Sequence, residues 1–515
     1  MPTTIIKPSA PSRTSSGFRN ARVRAAQTLP LDWRHLTEVD VANIRTAVED
    51  VIADPKATLF QLETCLLLWA TLVTGRNARQ LIKLSIRIVS KTDRLEQRPP
   101  GLIKHQERWG WWLVAGRPKH QNPPPAELTS SLRPWSAFVY LPATKQVVLL
   151  VDRCVRLRNR ASAGHVHVGG EAVALFTCGG ELIDAVTGVL AGRSGSDAPA
   201  RRATTTPEAL SRWLPAALVH QPGGDVVAAS VIAGRVDAPA RTPIYYGSVP
   251  QDRVTERYAG AVAAVDLPAH HDVPAQLVGV CAGDRLTPTD DAVRALIACL
   301  AADVVAAEAD LAERHHAMTL YTVALLAFAL VHRGDAGGMP SWREVDSETR
   351  FCWIDDKQIR GRRSRRLVWI CDTAMEQLER YERHLDVVQA AIGIEAARAI
   401  SALRSSPGLP LFDMREGPIA PLGVPEAVGA AMRREGPLPK NAGRHWMRAR
   451  LAGSCSTETL HALFGHAPIE EGSWDRAAGL DPVVYRADLA RFLDAALVGI
   501  GFAPHGPVAR PEMAR

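Results

Sequence analysis

The chain has 515 residues, of which 46% are apolar, and its 61 Lys and Arg against 54 Asp and Glu give a formal net charge of +7. That length exceeds what one hydrophobic core holds and calls for two or three domains, while the modest basic excess permits a polyanionic partner without requiring one. The longest apolar runs, Leu320 to Val331 and the stretch around Leu66 to Val73, are too short to cross a bilayer, and the eight cysteines form no Cys-x-x-Cys pair, so a membrane span, a zinc site and a disulfide framework all lack support.

Residues 1–30 are rich in Ser, Pro and Thr, carry Lys7, Arg13, Arg19, Arg22 and Arg24 without an acid, and are expected to form a disordered basic arm. Residues 31–265 are expected to form an N-terminal domain. Its first part, Thr37 to about Leu84, has helical periodicity through Leu59, Leu62, Leu66, Trp69, Ala70 and Val73. Strands are predicted over Trp111–Ala115, Ala137–Leu141 and Gln146–Val151, the last two joined by a Pro-containing turn, and a loop over Ala191–Pro207. The Pro-, His- and Gly-punctuated stretch 266–288 reads as a connection, and 289–515 as a second domain. There a single long amphipathic helix is predicted from Asp290 to His316, with Val293, Leu296, Leu300, Val304 and Leu311 on its stripe. The expected fold class is mainly α with small antiparallel β-sheets, α+β.

Chemistry-bearing residues gather in the second domain. Arg333 closes an apolar helix. Lys357 follows in a predicted hairpin that pairs Phe351–Ile354 with Leu367–Ile370, amid a run holding seven basic residues (Arg350, Lys357, Arg360, Arg362, Arg363, Arg365, Arg366) against Asp355 and Asp356. Such a run is either a solvated loop or a phosphate-contacting hairpin. Next come His445 and Arg448, three apart and so on one side of a helix. Gly465-His466 follows a helix capped near Ser456 or Thr457, and Tyr485 lies early in a helix opened by Asp481 and Pro482.

This order, Arg, Lys, His-x-x-Arg, Gly-His and then Tyr, resembles the tyrosine recombinase (phage integrase) family over roughly residues 290–500. The resemblance implies site-specific DNA recombination or integration, with a recombinase-like catalytic domain preceded by a helical or mixed domain. Phosphoryl transfer places extra negative charge on nonbridging oxygens, which guanidinium forks suit well. Arg333 and Arg448 are the candidate pair, Arg333 doubling as a helix cap. Lys357 would protonate the departing 5′ oxygen or simply contact phosphate, and the family's histidines, here His445 and His466, would contact the scissile phosphate. Tyr485 would attack to form a 3′-phosphotyrosyl intermediate. The family's usual tyrosine position here holds Asp475, however, and Tyr485 shares a stripe with Leu489, Phe492, Leu493 and Ala496, which fits a core residue equally. Arg360, Arg362, Arg363, Arg365 and Arg366 are the expected DNA contacts.

The resemblance further implies double-stranded DNA as partner, an oligomer on paired DNA sites with or without partner recombinases, no cofactor or metal, no membrane, and a cytoplasmic, nucleoid-associated location. The alternative function is a recombinase-derived DNA-binding accessory protein whose nucleophile has been lost. A third, a type IB topoisomerase, has no other feature pointing to it. The first half reads either as an unrelated DNA-clamp domain or as an eroded copy of the second. In the copy, Asn77 stands where the first arginine would fall, Ala209-Leu210-Ser211-Arg212 replaces His-x-x-Arg and Gly234-Arg235 replaces Gly-His. Thr242-Pro243-Ile244-Tyr245 would supply an alternative tyrosine.

Overall fold

The structure, a computed structural model, describes residues 36–90, 93–118, 122–161, 172–193, 206–236, 240–334, 337–355, 358–359, 362–363, 365–466 and 480–507. The chain is mainly helical with small, largely antiparallel sheets, an α+β protein. The predicted basic arm and most of the 191–207 loop lie outside the described residues; Ala191–Arg193 end a helix and Pro207 begins one.

Two helices open the first half, α1 (Glu38–Ala53) and α2 (Leu59–Thr74). Each starts on a threonine, Thr37 or Thr58, locked in a capping box with Asp40 or Gln61, so amides that no helical carbonyl can reach are answered by side chains. Apolar residues occupy every face of α2, which is buried from Leu62 to Thr74 and runs through the centre of the first core. It stops at Gly75, whose φ of 66° suits glycine. After a short helix α3 (Ala78–Leu81), the strands β1 (Ser85–Val89), β2 (Gly101–His105), β3 (Arg108–Val114), β4 (Phe138–Pro142) and β5 (Val173–Ala174) form one sheet in the order β4-β3-β2-β1-β5. Within this otherwise antiparallel sheet β1 and β2 run parallel.

The predicted strand Gln146–Val151 is helical instead, part of α4 (Lys145–Ala161). Its β-branched run favours a strand locally. Val147, Leu150, Val151 and Cys154 nevertheless recur at helical spacing, and all four are buried in the core that α2 centres. A charged pair also joins these two helices. Glu63 of α2, fully buried, accepts from Arg158 of α4 at 2.5 Å and from the backbone and hydroxyl of Thr177 at 2.9 and 2.8 Å. Glu63→Gln, which removes the charge while keeping the shape, is expected to lower stability by about 1–3 kcal/mol, the range for a hydrogen bond to a charged group, read as a shift in the urea midpoint.

Helices α5 (Gly179–Arg193), α6 (Pro207–His220), α7 (Val226–Ala233) and α8 (Gln251–Val262) complete the first half. The stretch expected as a bare connection, 266–288, is built into this fold. It contributes β7 (Cys281–Gly283), paired with β6 (Ser248–Pro250), and its Cys281 backbone also bonds Pro134 and Ser136.

In the second half the helix predicted from Asp290 to His316 is two helices, α9 (Asp290–Ala306) and α10 (Leu311–Ala329). The break falls at Asp310, whose carboxylate accepts from Ala312 and Glu313 amides and so starts a new helix, with Leu311 belonging to α10. Helix α10 is buried continuously from Ala317 to Ala329 and centres the second core. Next come β8 (Phe351–Ile354), β9 (Gln358–Ile359), β10 (Arg362–Arg363) and β11 (Arg366–Trp369), with β8 pairing β11 as the hairpin expectation required, shifted by one residue. Helices α11 (Asp372–Ala391) and α12 (Ile394–Ser405), the strand pair β12 (Phe412–Asp413) and β13 (Ala420–Pro421), and α13 (Val424–Ala431) lead to α14 (Ala442–Leu451) and α15 (Thr457–Phe464). The chain finishes in α16 (Pro482–Ala490) and α17 (Leu493–Ile500), so the stripe read through Tyr485 to Ala496 is divided near Phe492.

The halves share an order: a central buried helix (α2, α10), strands, a helix packed on the central one (α4, α11), then a helix pair (α6–α7, α14–α15) closed by a left-handed glycine, Gly234 or Gly465.

Candidate functional site

Helix α14 carries the site. Its N-cap, Asn441, accepts from the Gly334 amide through Oδ1 at 3.0 Å, which fastens the helix start to the turn bearing Arg333. Gly443 lets the helix lie directly on α10: a Cβ there would stand 2.6 Å from the Ala327 carbonyl oxygen and 2.9 Å from Phe328 Cα. Backbone atoms cannot swing aside as a side chain can. Gly443→Ala is therefore expected to cost about 1–3 kcal/mol by overpacking, despite alanine's better helix propensity, and to lower the thermal midpoint accordingly.

From this helix Arg444, His445, Trp446, Met447 and Arg448 are all buried. Arg444 donates from Nη1 to the Val331 carbonyl at 2.6 Å and from Nη2 to the Phe464 carbonyl at 2.8 Å, joining the ends of α10 and α15. Its Nη2 also lies 3.3 Å from His466 Nε2, so that nitrogen is the acceptor and the ring is neutral. Burial, then Arg444, His461, Arg448 and Arg333 hold the His466 pKa well below the usual histidine value. Four cationic or imidazole side chains thus act on one ring, which is how the structure draws Arg333, Arg448 and His466 into a single neighbourhood.

His445 and Arg448 project from the same side, as their spacing required, but they meet two different carboxylates rather than one ligand. His445 Nδ1 lies 2.7 Å from Asp284 Oδ2, and Arg448 Nη2 donates to Asp225 Oδ1 at 2.6 Å. Both acids come from the first half of the chain. Burial raises the Asp284 pKa, yet His445, the Leu286 amide and the Thr287 hydroxyl outweigh it, so the carboxyl stays below its usual value and ionised. The neighbouring Trp446 indole donates to Asp290, which Arg133 also reaches at 3.1 Å, adding a third tie between the halves. Arg448 Nη1 and His461 Nε2 are buried without a hydrogen-bond partner among the described residues, and both groups lie near Asp225.

Tyr246 covers the cluster. Its ring centroid is 4.9 Å from that of His445 and 5.5 Å from that of His466, and the Arg444 guanidinium carbon sits 4.7 Å above it. On the far side of His445 opens a cleft of about 420 Å³ bordered by Tyr245, Tyr246, Asn441 and the prolines at 123–125.

Tyr485 is not part of this assembly. Its side chain is fully buried, stacks on Phe351 with centroids 6.1 Å apart, and has its pKa raised by burial, so its hydroxyl is neutral and sealed in the second core. Its burial agrees with the core reading of its stripe. Arg366 also departs from expectation. Instead of facing DNA it is buried and donates to the Leu330, Val331 and Leu463 carbonyls, bracing α10 against α15. Arg365 is exposed beside Asp355. Arg362 and Arg363 form β10, while Lys357 and Arg360 lie outside the described residues.

Sequence reasoning missed Arg444, Tyr246, Asp225 and Asp284. Arg444 adjoins His445 and was within reach; the acids have no local signal because their partners are more than a hundred residues away in the chain. In the first half Arg76, one residue before Asn77, is a buried guanidinium bonded to the Ile232 carbonyl at 2.8 Å. Among the described residues no group of three His, Cys, Asp or Glu could hold a metal ion, and no helix is long and apolar enough to cross a membrane. Compared with known families, curated proteins and solved structures, the chain matches none.

Proposed function

We propose that the chain is a recombinase-derived protein that binds the phosphate backbone of double-stranded DNA and does not cut it through Tyr485. The observation that carries this reading is the state of Arg448. One terminal nitrogen is neutralised by Asp225 and the other is buried and unbonded, beside the unbonded His461 Nε2 and the cationic group formed by Arg333 and Arg444. A buried donor without a partner costs free energy unless a ligand answers it, and a phosphate oxygen is the acceptor a guanidinium fork fits best; because Arg448 is only 1% exposed, the halves would have to part at the Asp225 seam to admit it. The burial of the Tyr485 hydroxyl favours the accessory-protein reading over the recombinase one.

The test uses duplexes selected for binding from a random-sequence pool. Binding is expected to weaken steeply with salt, as counterion release requires, and the same duplexes carrying a nick are expected to give no covalent protein–DNA adduct. An adduct abolished by Tyr485→Phe would overturn the reading. A second reading has its own support, since Tyr246 lies against His445, His466 and Arg444. In that reading the chain is a strand-cleaving recombinase whose nucleophile comes from the first half. An adduct that persists in Tyr485→Phe and vanishes in Tyr246→Phe or Tyr245→Phe would establish it.

A further inference from the structure

The cleft beside His445 has a lining that backbone-phosphate binding does not use. One wall is aromatic, Tyr245 and Tyr246 on consecutive positions, and prolines 123–125 together with Leu286 extend the apolar surface. Its base is polar. Asn441 and His445, one turn apart on α14, both border it, and each has one polar atom already committed: Asn441 Oδ1 to the Gly334 amide, His445 Nδ1 to Asp284. What remains is the Asn441 amide NH2, a donor, and His445 Nε2, an acceptor when the ring is neutral. Arg241 and Arg285 are next in sequence to the lining residues Thr242 and Leu286. Arg285 is held over the Trp135 ring at 3.8 Å, close enough to Arg117 for the two charges to act on each other. No carboxylate pairs with Arg117, Arg241 or Arg285 among the described residues.

A lining of tyrosines and prolines, an amide and an imidazole one turn apart on α14, and guanidinium groups next in sequence to the lining match one chemical class. We propose that this cleft binds a single nucleotide, the base stacked on Tyr245 and Tyr246 with its hydrogen-bonding edge toward Asn441 and His445, and its phosphate toward Arg241 and Arg285. The volume of about 420 Å³ falls within the range of about 300–1,000 Å³ usual for small-molecule sites. Only an unpaired base leaves its hydrogen-bonding edge open to Asn441 and His445, so the nucleotide is either free or unpaired within DNA. The proposal goes beyond the backbone-phosphate reading and stands without it.

The experiment uses the full chain and a fluorescent adenine analogue in three forms: as a free nucleoside monophosphate, within a duplex opposite an abasic site, and paired within the same duplex. Stacking on tyrosine is expected to quench the free or the unpaired form, with affinity about ten-fold above that of the paired duplex, as one base–aromatic stack provides. Preference for the unpaired duplex identifies an extrahelical base as ligand; equal binding of the free nucleotide identifies a soluble one. Tyr245→Ala should abolish the preference and Tyr245→Phe should keep it. If neither form is preferred by the wild-type chain, or if quenching survives Tyr245→Ala, the proposal fails. Should the nucleotide bind while no duplex does, the DNA reading falls and this one remains.

Discussion

Asp225→Ala is expected to destabilise the protein by about 3–5 kcal/mol, the cost of stripping one partner from a buried ion pair. The Arg448 side chain is 1% exposed and that of Asp225 7%, so water cannot replace the lost carboxylate. Arg448 Nη1 already lacks a partner among the described residues, and removing Asp225 takes away the acceptor of Nη2 as well. The pair also closes the seam between the halves, where Thr457 donates to the Gly224 carbonyl at 3.3 Å. The double variant Asp225→Leu/Arg448→Met separates lost attraction from an uncompensated charge. It should recover most of the stability, because replacing a buried pair with apolar groups of similar volume is often neutral. Chemical denaturation of the three proteins reads both effects. DNA binding provides a second readout, since the double variant folds yet lacks the guanidinium, and its affinity for selected duplexes should fall about ten-fold or more, as expected for a lost charge-assisted hydrogen bond. A single variant as stable as wild type would mean that the pair is solvated and that the halves are held together elsewhere.

The same seam explains what the sequence could and could not reveal. Local rules reached the elements with strong local determinants. Ser456 and Asp481 accept from helix amides as their residue types suggested, and the hairpin flanking Lys357 pairs Trp353 with Leu367. They failed where local preference and tertiary packing disagreed, as at Val147–Val151, whose β-branched run bends to the demand of the core for a helix. At Asp310 the signal was present, an acid ahead of a helical turn, but the continuous apolar stripe masked it. For the site, spacing correctly placed His445 and Arg448 on one side of α14. It could not say that this side faces the first half of the chain, nor that Asp225 and Asp284 would be waiting there, since pairing across such separations leaves no periodicity to read. Tyr485 carried both of its readings in one stripe, and only packing decides between them.

The carboxylates bear directly on function. With Asp225 and Asp284 in place, the two side chains that the recombinase resemblance assigns to phosphate are partly neutralised from within the chain, and His466 is kept uncharged by burial and then by its cationic neighbours. Such a ring offers little proton transfer, because a histidine held so far below its usual pKa is unprotonated at neutral pH and cannot serve as a general acid. The neutral His466 and the buried Tyr485 both support the proposal of binding without cleavage.

Acid is expected to unfold the second half through a histidine pair remote from this site. His315 Nδ1 lies 3.3 Å from His384 Nε2, and His315 Nε2 lies 3.2 Å from the Phe412 carbonyl. The carbonyl can only accept, so His315 carries its proton on Nε2 and accepts from His384 through Nδ1, an arrangement that requires the His315 ring to be neutral; burial keeps His384 neutral as well. Burial, then the neighbouring His384, lowers the His315 pKa to about 3, and burial, then Arg314, lowers that of His384 to about 4. In the unfolded chain both titrate near 6.5. Below that value the unfolded state binds protons that the folded state refuses, so the neutral pair's contribution is fully present above about pH 6.5 and is lost as pH falls toward 4 and then 3. Each histidine weakens the fold by about 1.4 kcal/mol for every pH unit within its window, which for the two together amounts to several kcal/mol by pH 4. Thermal midpoints measured from pH 7 to pH 4 should fall along that course. In His315→Gln/His384→Leu, where glutamine can still donate to the Phe412 carbonyl, the decline should be much shallower even if the variant is less stable at pH 7. Equal slopes for the two proteins would show that the imidazoles charge freely in the folded state and that their burial carries no proton linkage.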